Sequence, residues 1–108
     1  MEVPLEIDVT EAAQLWKTPG NVVLLDVREP YELRFCQVKG SLNIPMGQLP
    51  ARLTDLARDR QILVLCHHGL RSLHVARYLR ANDYPLASNV TGGIDAWAAT
   101  VEPGMKRY

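Results

Sequence analysis

Two apolar runs limit what this chain can become. Val22-Val23-Leu24-Leu25-Asp26-Val27 and Ile62-Leu63-Val64-Leu65-Cys66 carry almost no polar position, so neither alternates as a strand with one wet face would. A short run that is apolar at successive positions and rich in β-branched side chains fits a strand buried on both faces. Both faces are covered when helices pack on each side of a sheet, and the segments between the runs carry helical signals. The expected fold class is α/β: a mostly parallel central sheet with helices on both faces.

The other elements are read from their own patterns. Leu5–Val9 alternates apolar and acidic residues, as an edge strand does. Thr10 suits an N-cap, with Glu11 in the first turn of a helix through about Lys17. The turn Thr18-Pro19-Gly20-Asn21 ends it. Glu29-Pro30 opens a short helix over Tyr31–Phe35, and Asn43-Ile44 is a brief strand. Leu49, Leu53 and Leu56 have helical spacing. Ser72 is expected to cap a helix with Leu73, Val75, Ala76 and Leu79 on its apolar face. Ser88–Thr91 reads as a strand, Gly92-Gly93 as a tight turn and Ile94–Ala99 as a closing helix.

At 108 residues the chain holds one ordinary domain and is short for two, so residues 1–108 are taken as a single unit. Twelve Lys plus Arg balance twelve Asp plus Glu, which points to no nucleic-acid partner and no membrane surface. No apolar run approaches the length of a membrane span. The first residues lack a basic region followed by an apolar core, so no secretory signal is expected. Cys36 and Cys66 then read as two free thiols in a reducing compartment, and the expected location is cytoplasmic.

Any anion chemistry in so balanced a chain belongs to a local site. In a parallel sheet, ligands sit beyond the carboxyl ends of the strands, and Cys66 ends an apolar run just before the turn His67-His68-Gly69-Leu70-Arg71. The turn offers successive backbone N–H groups, the following helix adds its positive end, and glycine at 69 lets the backbone curl. Such a ring favours the thiolate and can hold an anion carried on the sulfur. The alternative is a small buried hydrophobe ending a core strand. His67 and His68 beside Cys66 raise the possibility of a metal, but adjacent side chains diverge and ligands are usually spaced farther apart, so no metal or cofactor is assigned.

Residues Cys66–Ser72, CHHGLRS, resemble the active-site loop of single-domain rhodanese sulfurtransferases. The resemblance extends to Leu25-Asp26-Val27-Arg28-Glu29 with Glu32, to Gly40-Ser41-Leu42-Asn43-Ile44-Pro45, and to Thr91-Gly92-Gly93-Ile94-Asp95-Ala96-Trp97, in family order. It implies a rhodanese-like fold and a thiosulfate sulfurtransferase in which Cys66 accepts a sulfane sulfur, becomes a persulfide and passes it on. The donor would be a small molecule such as thiosulfate. The acceptor would be cyanide, a cellular thiol or a protein. Residues His67, His68, Gly69, Leu70 and Arg71 would line the substrate pocket, with Asp26, Arg28 and Ser72 supporting the loop. For Arg71 an ion pair with Asp26 or Glu32 is compatible with guiding an anionic donor.

The chain departs from the family pattern at Cys36-Gln37-Val38, where a histidine is common. It also departs at Asp83, where glycine is frequent and Asp tolerates left-handed backbone better than most residues. Trp16 and Trp97 are expected to pack in the core or at its rim. Two competing functions remain. A cysteine phosphatase would use a loop one residue longer than the four residues between Cys66 and Arg71. A non-catalytic binding module would commonly lack the cysteine.

Overall fold

A computed structural model describes residues 2–18 and 20–108; Met1 and Pro19, the latter in the turn expected after the first helix, lie outside the described residues. The elements in chain order are β1 (Glu6–Ile7), α1 (Val9–Trp16), β2 (Val22–Asp26), a 3₁₀ helix (Pro30–Arg34) and β3 (Leu42–Asn43). A second 3₁₀ stretch (Met46–Asp55), β4 (Gln61–Leu65), α2 (Leu70–Ala81), β5 (Ala87–Val90) and α3 (Gly93–Thr100) follow. The strands form one sheet in the order β1-β5-β4-β2-β3, and every pairing is parallel. The two apolar runs are neighbours in it, in register from Val22–Gln61 to Asp26–Leu65.

The pleat explains why these runs are apolar throughout. Leu25, Ile62 and Val64 face one way, against Val75, Ala76 and Leu79 of α2 and Leu49 of the second 3₁₀ stretch. Leu24, Leu63 and Leu65 face the other way, against Val9 and Ala12 of α1 and Ile94 and Trp97 of α3. Successive side chains therefore enter two different cores. Each fully buried Leu, Ile or Val contributes about 1.5–3 kcal/mol relative to an exposed one. The chain is α/β with helices on both faces, as the patterning required.

Several local expectations are corrected. Asp8, not Thr10, caps α1: its side chain accepts the Glu11 N–H at 2.8 Å. The helix therefore takes Val9, and β1 shrinks to two residues. Gly69 at φ +104°, not Ser72, is the N-cap of α2; Ser72 lies buried in the first turn. The segment carrying Leu49 and Leu53 is 3₁₀ rather than α and ends at Asp55, with Pro50 inside it and a break at Arg52; Pro50 lacks the N–H that an α-helix would use. Asp83 takes the left-handed conformation (φ +70°) and delivers the buried Tyr84, whose hydroxyl donates to the carbonyls of Leu53 and Leu56. Trp97 is buried as expected, and Trp16 packs at the edge of the same core. Among the described residues no helix is long and apolar enough to cross a membrane.

A buried ion pair stands at the end of β2. The Arg28 guanidinium reaches Asp26 Oδ2 at 2.7 Å, and both side chains are fully buried. Arg28 also donates to the Cys36 carbonyl at 2.9 Å and meets the Tyr108 hydroxyl at 2.9 Å. Burial opposes its charge, but the hydrogen bonds and charge of Asp26, with the Tyr108 contact, more than offset this and hold the guanidinium protonated. Removing one member of such a pair strands a buried charge, so Asp26→Ala is expected to cost about 3–5 kcal/mol of stability. Denaturant unfolding measures it; a loss below about 1 kcal/mol, the scale of an exposed pair, would show that the pair does not organise this end of the sheet.

Candidate active site

The strand order reverses direction between β2 and β4: the chain leaves β2 for β3 on one side and β4 for β5 on the other. Ligand crevices form beyond the carboxyl ends of strands at such a point. Cys66 is the first residue past β4 and is 1 % exposed. Its Sγ accepts the N–H of Gly69 at 3.1 Å and of Ser72 at 3.4 Å, and Ser72 Oγ lies 3.2 Å away. The left-handed Gly69 makes this possible, because it turns the chain from the loop straight into the first turn of α2. That turn has N–H groups with no preceding helical carbonyl to accept them.

Asn89 supports the cradle from β5. Its amide nitrogen faces Glu6 Oε2 and the Gly69 carbonyl, both at 3.2 Å, which leaves Oδ1 for the Ser72 hydroxyl at 2.5 Å. Ser72 thus donates its proton to Asn89 and meets the Cys66 thiol as an acceptor. Sequence reasoning placed Ser72 beside the loop but missed Asn89; the available signal was a polar residue inside a strand that is buried along its whole length.

The start of α3 grips the loop from the other side. Ile94 N–H donates to the Cys66 carbonyl at 2.8 Å, and Asp95 N–H to the His67 carbonyl at 3.1 Å. This approach admits no side chain at Gly93, where a Cβ would lie 2.5 Å from the Cys66 oxygen and 2.6 Å from the His67 carbonyl carbon, at φ +61°. The Gly92-Gly93 turn is therefore a clamp on the loop as well as a helix start.

Arg71 points to the Pro30–Arg34 helix, where its two terminal nitrogens meet the Glu32 carboxylate at 2.9 and 3.0 Å. Of the two partners open to it in the sequence, Glu32 is the one it takes. Glu32 also accepts the Glu29 N–H at 2.8 Å. Burial pushes the Glu32 carboxyl up, but the Arg71 hydrogen bonds, the Glu29 N–H and the two nearby arginines outweigh it and hold it below its usual value. Glu32 raises Arg71 in return. Asp26 bonds to Arg28, and Arg28 in turn to the Cys36 carbonyl and the Tyr108 hydroxyl, so the pair braces the chain after the neighbouring helix and β2 rather than the sulfur itself.

At the mouth, Leu70 is 81 % exposed. His67 stacks on Tyr108 and on His68, each at 3.8 Å between centroids, and Phe35 stacks on Tyr108 at 4.9 Å. Burial and the neighbouring His68 lower the His67 pKa, although a hydrogen bond to the Tyr108 carbonyl opposes them. His67 is thus a weak source of positive potential at the mouth. Burial raises the Cys36 thiol and the Tyr108 phenol despite the nearby Arg28. Nothing in the sequence marks Tyr108 as a partner of the loop.

A protein-family model described as "Rhodanese-like domain" matches residues 8–100. A protein of Allochromatium vinosum named "Sulfurtransferase" is 33% identical over 93 residues, covering 86% of this chain and 87% of that one. A "Thiosulfate sulfurtransferase GlpE" of Tolumonas auensis is 31% identical over 91 residues, covering 84% and 85%. The crystal structure of a rhodanese-like domain protein from Staphylococcus aureus superposes with a TM-score of 0.81 at 28% identity, over 100% of this chain and 99% of that one.

The Glu32–Arg71 bridge gives the loop a definite acid limit. A carboxyl held below its ordinary value of 4.5 stabilises the fold above that value, and the contribution is lost as pH falls through the lowered one. Glu32→Gln is expected to cost about 1–2 kcal/mol at pH 7, with the wild-type advantage shrinking below about pH 4. Denaturant unfolding of both proteins across pH reads this directly; an advantage that stays constant down to pH 2 would assign Glu32 a role independent of its charge.

Proposed function

The chain belongs to the rhodanese-like domain family, and on that premise we propose that it transfers sulfane sulfur through a persulfide on Cys66, with residues 1–108 acting as one domain. The observation that carries the reading is the cradle: Cys66 Sγ receives two backbone N–H groups at the start of α2, where a helix end favours negative charge. The Cys66 thiolate attacks the outer sulfur of a small anionic donor such as thiosulfate. The donor's S–S bond breaks, sulfite leaves with the electron pair, and the sulfur stays on Sγ as a persulfide anion. A nucleophile (cyanide, a cellular thiol or a protein thiol) then attacks that outer sulfur, and the electrons of the Sγ–S bond return to Cys66.

Backbone N–H groups of the loop from His67 to Arg71, with Ser72, are the donors for the outer sulfur's charge. They are held in place before reaction by the α3 clamp and the Ser72–Asn89 bond. Arg71 spends both terminal nitrogens on Glu32, so its first role is to hold loop and neighbouring helix together, with its remaining charge at the rim for an anionic donor. That engagement also weighs against a phosphatase, which needs the arginine fork free for phosphate oxygens. A binding module would have no use for a cradled thiol. Both cysteines are free, which supports a reducing, cytoplasmic setting.

Wild-type protein incubated with thiosulfate is expected to gain one sulfur atom on Cys66, visible by mass spectrometry, and Cys66→Ser to lose sulfur transfer to cyanide. Cys36 lies outside the cradle, and Cys36→Ser retains turnover. Persulfide on Cys36, or full activity in Cys66→Ser, would refute the assignment.

A further inference from the structure

The imidazoles of His67 and His68 take no part in the steps above, yet they gather beside the carboxylate of Asp95: each residue offers a ligand atom, and the three atoms lie within 4.8 Å of one another. We propose that His67, His68 and Asp95 form a binding site for a divalent transition-metal ion of the zinc class, with ligands drawn from both the loop and α3.

Adjacent side chains ordinarily point apart, the reason for setting a metal aside on sequence. Here the two rings are instead stacked at 3.8 Å and 29°, which keeps both on one side of the loop, and the exposed His68 is free to turn its in-plane lone pair toward an ion. Tyr108 enforces this by stacking on His67, nearly parallel, at 3.8 Å. Its carbonyl oxygen, which can only accept, takes a hydrogen bond from His67 Nε2 at 2.8 Å. Neutral His67 therefore carries its lone pair on Nδ1, and a ring nitrogen bonded to a carbonyl is the usual outer support of a metal-binding histidine. Asp95 is positioned by the same clamp that holds Cys66, since its N–H donates to the His67 carbonyl at 3.1 Å. Its carboxylate partner is Arg107, at 3.0 and 3.1 Å on the open surface. The pair is bidentate but largely solvated, and the arginine must release both oxygens when the ion binds.

The chemistry of the donors selects the ion. Two imidazoles and one carboxylate suit zinc, copper or nickel rather than calcium or magnesium, and three protein ligands leave a coordination position for water. The ligands span the loop and the first turn of α3, so an occupied site adds to the tie that the Ile94 and Asp95 N–H groups already make between them.

The test is calorimetric titration of untagged protein with zinc chloride. Wild type is expected to bind one ion. Asp95→Asn, whose side chain is at the surface, and His68→Gln are each expected to bind it at least roughly tenfold more weakly. The Cys36→Ser, Cys66→Ser double variant, which transfers no sulfur, is expected to bind it as wild type does. Cobalt in the same site should show no thiolate charge-transfer band. Absence of saturable binding, undiminished affinity in Asp95→Asn, or loss of binding in the double variant would overturn the proposal. Because the ion is counted in a protein without either thiol, the site stands or falls independently of the persulfide.

Discussion

The meeting of β4 and α2 at one sulfur atom is the constraint around which the molecule is arranged. A parallel strand ends at Leu65, a helix begins at Leu70, and Gly69 joins them by a left-handed turn that aims its own N–H and that of Ser72 at Cys66 Sγ. A loop so tight cannot hold its shape by itself. The N–H groups of Gly69 and Ser72 point inward to the sulfur, and the carbonyls of Cys66, His67 and Gly69 are satisfied from outside.

Three neighbours supply that support, each from a different element. The start of α3 donates to the carbonyls of Cys66 and His67. Asn89 of β5 receives the Ser72 hydroxyl and donates to the Gly69 carbonyl. Glu32 takes Arg71 and so ties the first turn of α2 to the Pro30–Arg34 helix. That helix is in turn held to β2 by the buried Asp26–Arg28 pair through the Cys36 carbonyl. The charged residues near the site thus serve mainly to fix backbone, and the backbone presents charge to the sulfur. Such preorganised dipoles act without reorganising during reaction.

Much of this was legible in the sequence, for physical reasons. A strand buried on both faces is apolar along its length, so β2 and β4 announced themselves, and with them the parallel sheet and the loop at the end of β4. Cys66 and Gly69 were readable from position and backbone freedom. Caps were not: Asp8 and Thr10 are both competent caps, and only tertiary packing chose between them. Ser72 looked like a cap because serine usually is one at a helix start, but glycine geometry let the helix begin earlier and turned Ser72 inward. The 3₁₀ character of Met46–Asp55 was hidden because Leu49, Leu53 and Leu56 satisfy either helix. Asn89 and Tyr108 act over long sequence separations, and spacing carries no trace of such partners.

The central claim is that the size of the Cys66–Arg71 ring sets the chemistry, and inserting one glycine after Gly69 tests it most directly. The insertion adds an N–H and widens the ring, so the outer sulfur loses its close donors. Transfer from thiosulfate to cyanide should fall by on the order of a hundredfold in a variant that circular dichroism shows to be folded. Binding of a phosphate-like oxyanion should tighten in the same protein. Undiminished sulfur transfer in the folded insertion variant, or efficient hydrolysis of an aryl phosphate by the wild type, would contradict the claim.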